Sequence, residues 1–110
     1  MLCQVKLQLV EIYAMSWRKR DVSILAPYLD DSFSYTSFWV YASFNRESYL
    51  DYLNGKFEAL AKSGSNIDVS VGTNTIGDYA VVLRQDGEQP IYITIKEKDG
   101  KIAEACMLPF

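Results

Sequence analysis

From Asn66 onward the apolar residues of this chain recur at every second position, whereas over about residues 2–18 and 46–62 they recur at every third and fourth. Ile67, Val69 and Val71 alternate with Asp68 and Ser70, and Ile91, Ile93 and Ile95 alternate with Tyr92, Thr94 and Lys96. Ile102, Glu104, Cys106 and Leu108 alternate in the same way with Ala103, Ala105 and Met107. A period of two is that of a strand, which turns successive side chains to opposite faces. Tyr79 to Leu83 is an apolar run, as expected of a strand buried on both faces. Asp86-Gly87 and Asp99-Gly100 separate successive runs and supply hairpin turn chemistry, so the last three strands read as an antiparallel meander.

Upstream the spacing is helical. Leu2, Val5, Leu9, Ile12 and Ala14 recur at steps of three and four, with Tyr13 and Trp17 on an adjacent stripe, which predicts a helix over about residues 2–18. Arg18-Lys19-Arg20 suits its C-terminal end, where the helix dipole favours positive charge. Asp21 or Ser23 caps a short second helix with Ile24, Leu25, Tyr28 and Leu29 turned inward. A third helix runs from about Arg46 to Lys62 with Asn45 or Ser43 as cap. Tyr49, Leu50, Leu53, Phe57, Leu60 and Ala61 form its apolar stripe. Gly55 in its interior either permits close approach to a neighbour or is a tolerated imperfection. Gly64 suits the left-handed position after its end.

Between the second and third helices lies YLDDSFSYTSFWVYASF, residues 28–44, which holds seven of the fifteen aromatic side chains. Phe33, Tyr35, Trp39 and Tyr41 share odd positions, so an unbroken strand puts these four rings on one face. Such a face is either core or the wall of a pocket.

Length and composition fit one soluble domain spanning residues 1–110. A net charge of −3, with the single short basic cluster at 18–20 followed by Asp21, argues against a phosphate-binding surface and hence against a nucleic-acid partner. No apolar run approaches the ~20 residues of a membrane span, so no membrane partner is expected. MLCQVKLQLVEIY, with Lys6 and Glu11 in its apolar pattern, does not read as a signal peptide. Cys3 and Cys106 show no metal-ligand spacing, and a cytoplasmic protein with reduced, buried structural thiols is the expectation. The absence of histidine removes Ser-His-Asp, Cys-His and most zinc-site chemistries. Asp30-Asp31 reads as a polar helix end, since adjacent residues diverge on a helix. No metal or other cofactor is expected.

Three segments carry a family resemblance. WRKRDVSILAPYLDDSFSY looks like an opening helix pair leading into a first strand, NRESYLDYLNGKF like a third helix, and KEKDGKIAEA like a final hairpin. Together with the order of elements, they resemble the NTF2-like superfamily, in the branch of SnoaL-like polyketide cyclases and ketosteroid isomerase-like proteins. The resemblance covers essentially the whole chain. It implies an α+β cone in which three N-terminal helices pack on a curved antiparallel sheet whose open end forms a pocket. It also implies a homodimer through the outer sheet face. The superfamily holds enzymes and non-enzymes alike, so the fold does not carry an activity with it.

The isomerase-type members use a carboxylate base a few residues past the acidic pair; the matching position here is Thr36, whose hydroxyl cannot serve as that base near pH 7. The family's protonated acid on a late strand falls near Tyr92 or Ile93, and its oxyanion tyrosine has a near counterpart in Tyr13. What remains is a set of polar aromatics: Tyr13 and Trp17 from the first helix, Tyr35, Trp39 and Tyr41 from the aromatic stretch, and Tyr92 from the sheet. Arg84 is a candidate anion anchor at the pocket mouth, or else a solvated strand end. The resulting reading is a domain that binds a small apolar or aromatic ligand among these six rings without catalysis. Its alternatives are an isomerase- or cyclase-like enzyme acting through tyrosine hydrogen bonds, and a protein-interaction module whose pocket is filled by its own side chains.

Overall fold

A computed structural model describes residues 2–109; the side chains of Leu2, Cys3, Val40 and Tyr41 lie outside the described residues. Helix α1 spans Leu2–Lys19 and α2 Val22–Leu25, followed by a 3₁₀ turn over Ala26–Tyr28. Strands β1 (Leu29–Ser37) and β2 (Val40–Asn45) precede α3 (Arg46–Ser63). Then come β3 (Ile67–Thr73), β4 (Tyr79–Gln85), β5 (Ile91–Lys98) and β6 (Lys101–Leu108). The six strands form one sheet in the order β2-β1-β6-β5-β4-β3. Helix α1 packs over β3, β4 and β5, and α3 over β1 and β2, so one sheet face is covered by helices.

The α+β class agrees with the expectation, and two details are corrected. Between the second and third helices stand two strands, the β1–β2 hairpin, and not one. The sheet is mixed and not purely antiparallel, because β1 runs parallel to β6. Parallel neighbours need a long crossover, and here everything from β2 to β5 forms it. The meander of the last three strands is as expected, β4, β5 and β6 being antiparallel neighbours, and β3 joins it antiparallel to β4.

The aromatic stretch is the largest departure. It is not an unbroken strand but a hairpin with Phe38 and Trp39 as its two-residue loop, Ser37 pairing with Val40. No glycine, asparagine or aspartate marks this loop, so ordinary turn chemistry does not reveal it. Its stabilising contacts come from elsewhere. The Trp39 N–H donates to Ser37 Oγ at 3.3 Å, and the Phe38 N–H donates to the Met107 carbonyl of β6 at 2.9 Å.

Helix ends follow local chemistry more closely. Asp21 caps α2 by accepting from the Ser23 N–H, and Asn45 caps α3 by accepting from the Ser48 N–H at 2.9 Å. Gly64 ends α3 at φ 70°, the left-handed position. Helix α1 ends in the same geometry without glycine: Arg20 sits at φ 52°, its N–H donating to the Trp17 carbonyl at 3.3 Å, and the Asp21 N–H to the Ser16 carbonyl at 3.0 Å. That is a Schellman pattern. The Arg20 side chain holds the bend by donating to the Ser65 carbonyl at 3.0 Å, while Arg18 donates to the Val69 carbonyl at 3.3 Å. Two of the three cations in the basic cluster are thus structural. At the other end of the layer, Arg46 donates to the Ala26 carbonyl at 2.8 Å, tying α3 to the turn before β1.

The core lies between the helices and the covered sheet face. From α1 it takes Leu9, Val10, Tyr13, Ala14 and Trp17; Ile12, on the stripe expected to face inward, is only half-buried. From α3 it takes Tyr49, Leu53, Phe57 and Leu60. Leu25 and Leu29 are buried as expected, but Tyr28 is exposed. Gly55 has no neighbour near the position its Cβ would occupy. Close approach is therefore not its role, and Gly55→Ala is expected to stabilise the fold by up to about 1 kcal/mol. The midpoint of urea unfolding measures this, and an unchanged or lower midpoint would count against it.

Candidate functional site

The interior of the layer is built on tyrosine. Tyr13 of α1 and Tyr49 of α3 are buried and hydrogen-bond each other through their hydroxyls. The Tyr49 ring stacks on Tyr35 of β1, with centroids 4.4 Å apart, and lies 5.2 Å from Phe33. Tyr35 donates to Met107 Sδ of β6 at 3.7 Å. Phe44 and Tyr52 extend the stack, their centroids 5.0 Å apart. Trp17 packs edge-on against Phe57 at 5.1 Å. Burial pushes the hydroxyls of Tyr13, Tyr35 and Tyr49 well above the ordinary tyrosine range, so all three stay protonated and neutral. None of these three lines the crevice or the groove described below. The tyrosines have satisfied one another and filled the space.

One polar atom in this layer is left over. Trp17 is 3% exposed, and its Nε1 is buried without a partner among the described residues. Trp17 lines a crevice of about 50 Å³ together with Lys56, Ile67, Leu83, Gln85, Ile91 and Met107. Alongside lies an open groove of about 580 Å³, lined by Trp39, Arg84, Gly87, Glu88, Gln89, Pro90, Ile91 and Pro109. Ile91 belongs to both, which makes crevice and groove neighbours around the β4–β5 connection. The β1–β2 turn places Trp39 there, 51% exposed, with its ring edge-on to Phe38 at 5.6 Å.

The six predicted rings do not form one cluster. Tyr13 and Tyr35 are core, Trp17 is core and lines the crevice, and Trp39 lies outside on the groove. Tyr92 sits opposite Val82 and Leu108 on the face of the sheet away from the helices. Tyr41 is on β2, but its side chain lies outside the described residues. Thr36, the position matching a family base, is exposed on the outer face, where it pairs with Cys106 of β6. Cys106 is a free, half-buried thiol, whereas the Cys3 side chain lies outside the described residues. Asp30 and Asp31 lie at the start of β1, not at a helix end; Asp30 accepts from the Ser32 N–H at 2.9 Å.

Residues absent from the expected site are Tyr49, Lys56, Gln85 and Met107. Tyr49 is legible in the sequence as part of an apolar helix stripe. Nothing local shows that its hydroxyl meets Tyr13, 36 residues away.

No protein-family model matches the sequence, and no curated protein matches it. Solved structures do. A protein from Kribbella flavida superposes with a TM-score of 0.68 at 12% identity, over 94% of this chain and 85% of that one. An LEH-like epoxide hydrolase from Mycobacterium tuberculosis gives 0.61 at 12% identity, over 94% and 81%. An NTF2-like protein of unknown function from Pseudomonas putida gives 0.58 at 11% identity, over 92% and 81%. The chain has the NTF2-like fold. At such identities the likeness concerns the fold alone.

Tyr49→Phe leaves the Tyr13 hydroxyl buried without its partner and is expected to cost about 1–3 kcal/mol; the double change Tyr13→Phe with Tyr49→Phe recovers most of that loss. Urea unfolding of the three variants measures the cycle, and a double variant no better than the single one would contradict the pairing. A second expectation concerns pH. A tyrosine whose pKa is raised by folding contributes no pH dependence below its unfolded value, and stability falls once pH exceeds about 10, because only the unfolded chain then releases the proton. Phenolate absorbance should show the buried tyrosines ionising together with unfolding and not before it.

Proposed function

We propose that this chain is a non-catalytic binding protein that holds a small apolar or aromatic molecule in the groove around Trp39, not within the helix–sheet interior. The observation that carries the reading is the pairing of the interior tyrosines with one another. A tyrosine acting as an oxyanion donor needs a reacting atom within hydrogen-bond reach. Here Tyr13 and Tyr49 spend their hydroxyls on each other, Tyr35 donates to Met107, and none of them lines the crevice or the groove. The crevice of about 50 Å³ is far below the ~300–1,000 Å³ of ordinary ligand pockets, whereas the groove of about 580 Å³ lies within it. Trp39 offers that groove a half-exposed indole, and Pro90 and Ile91 supply further apolar wall.

Self-association through the sheet is part of the same proposal. Val82, Tyr92 and Leu108 are half-buried partners in register across β4, β5 and β6, facing away from the helices, and half-buried Cys106 lies two residues before Leu108 on the same face. They give the uncovered face an apolar centre that a second copy would bury. Light scattering on the purified protein is expected to report a dimer, and Tyr92→Glu a monomer; a monomeric parent protein would remove this part of the proposal.

For the ligand, a small-molecule thermal-shift screen should yield hits whose stabilisation is lost in Trp39→Ala and kept in Tyr13→Phe. Trp39 is at the surface, so its truncation should change the free protein's stability by no more than about 0.5 kcal/mol. Hits that bind Trp39→Ala unchanged would place the ligand elsewhere.

A further inference from the structure

Three side chains that the sequence pattern turns inward stay partly outside, and they lie together. Ile12 of α1 and Ile24 of α2 are half-buried, and Tyr28 is 40% exposed. With Met15, itself 37% exposed, and the polar Gln8 and Glu11, they line one shallow depression of about 470 Å³. It lies on the side of α1 turned away from the sheet, since Leu9, Val10, Tyr13, Ala14 and Trp17 occupy the opposite, buried side. Single exposed apolar side chains are ordinary; four lining one concavity mark a contact surface.

The charges beside this depression have an order that selects what covers it. Glu11, Met15 and Lys19 follow one another at steps of four, so they form one exposed ridge along α1, acidic toward its start and basic at its end. Arg18 and Arg20 are committed to the carbonyls of Val69 and Ser65. Glu11 and Lys19 have no hydrogen-bond or ion-pair partner among the described residues. Eight residues of helix hold them about 12 Å apart, so they do not pair within one chain. A second α1 laid antiparallel, with a two-fold axis at Met15, brings Glu11 of each chain to Lys19 of the other and sets the apolar side chains face to face. A parallel copy in register sets like charge against like.

We propose that this face of α1 and α2 docks a second copy of the chain, α1 packing antiparallel on α1 about Met15. The contact uses the side of the fold opposite the sheet contact proposed above and rests neither on that contact nor on the groove. Four apolar side chains make a small interface, so the association is weak and grows with concentration. It is open in the dilute solutions where Tyr92→Glu is expected to be monomeric.

Sedimentation equilibrium from micromolar to millimolar protein tests the proposal, on the full chain carrying Tyr92→Glu so that the sheet contact is removed. The expected result is a monomer at the dilute end and a dimer at the concentrated end. Adding Met15→Glu, at an exposed position, is expected to abolish the dimer. Glu11→Lys and Lys19→Glu should each weaken it about tenfold, and the two together should restore it, because opposite charges again meet across the axis. Should Tyr92→Glu fold poorly, wild type against Met15→Glu decides instead: the mass of wild type rises with concentration above that of the dilute species, and Met15→Glu removes the rise. A mass that stays constant to millimolar concentration overturns docking of a second copy and leaves the depression to a different partner. Association indifferent to Met15→Glu, or a double charge reversal no tighter than the single ones, overturns it as well. A wild-type chain that is monomeric when dilute counts against the sheet contact alone.

Discussion

The Tyr13–Tyr49 hydroxyl pair joins the two long helices at the centre of the layer, and most of what the structure can do follows from it. Each ring is large and each hydroxyl requires a partner once buried, so two tyrosines meeting head to head satisfy one constraint with the other. Tyr35 then stacks beneath Tyr49 and sends its own hydroxyl to Met107, which ties β1 and β6 into the same cluster. The space between α1, α3 and β1 is in this way occupied by rings whose hydroxyls are engaged within the protein itself.

Other polar and aromatic side chains collect at the β4–β5 end of the sheet. Among the described residues, Trp17 carries an unused donor there, Lys56 a charge without an ion pair, and Trp39 a half-exposed ring. The three come from α1, α3 and the β1–β2 turn, which are far apart in sequence. Their convergence is a consequence of layering: α1 ends over the meander, α3 crosses β1 and β2, and the turn is held to β6 through Met107.

Much of the architecture is legible in the order of residues alone. The change of period at Asn66, the Asp-Gly turns and the caps at Asp21, Asn45 and Gly64 rest on interactions within a few residues, which a sequence displays directly. Asp99 and Gly100 both adopt positive φ in their two-residue loop, as that turn requires. The basic cluster is legible only as a helix end. That Arg18 donates to Val69 of β3 and Arg20 to Ser65 just before it depends on where β3 lies.

What the sequence by itself determined was the three helices, the four strands after Asn66, their order and the side of each helix that carries apolar residues, because periodicity and capping are local physics. What only the tertiary structure decided was which rings fill space and which meet solvent. The hairpin at Phe38-Trp39 has no turn residue of its own and is held by Ser37 and by a carbonyl of β6, and this single break sends Trp39 outward while Tyr35 stays in. Tyr13 finds Tyr49, and the Trp17 indole finds no acceptor among the described residues, for the same kind of reason: a buried hydrogen bond needs a partner that another segment must deliver. Pattern can identify a side chain that will be buried, but only packing decides whether its polar atom is satisfied.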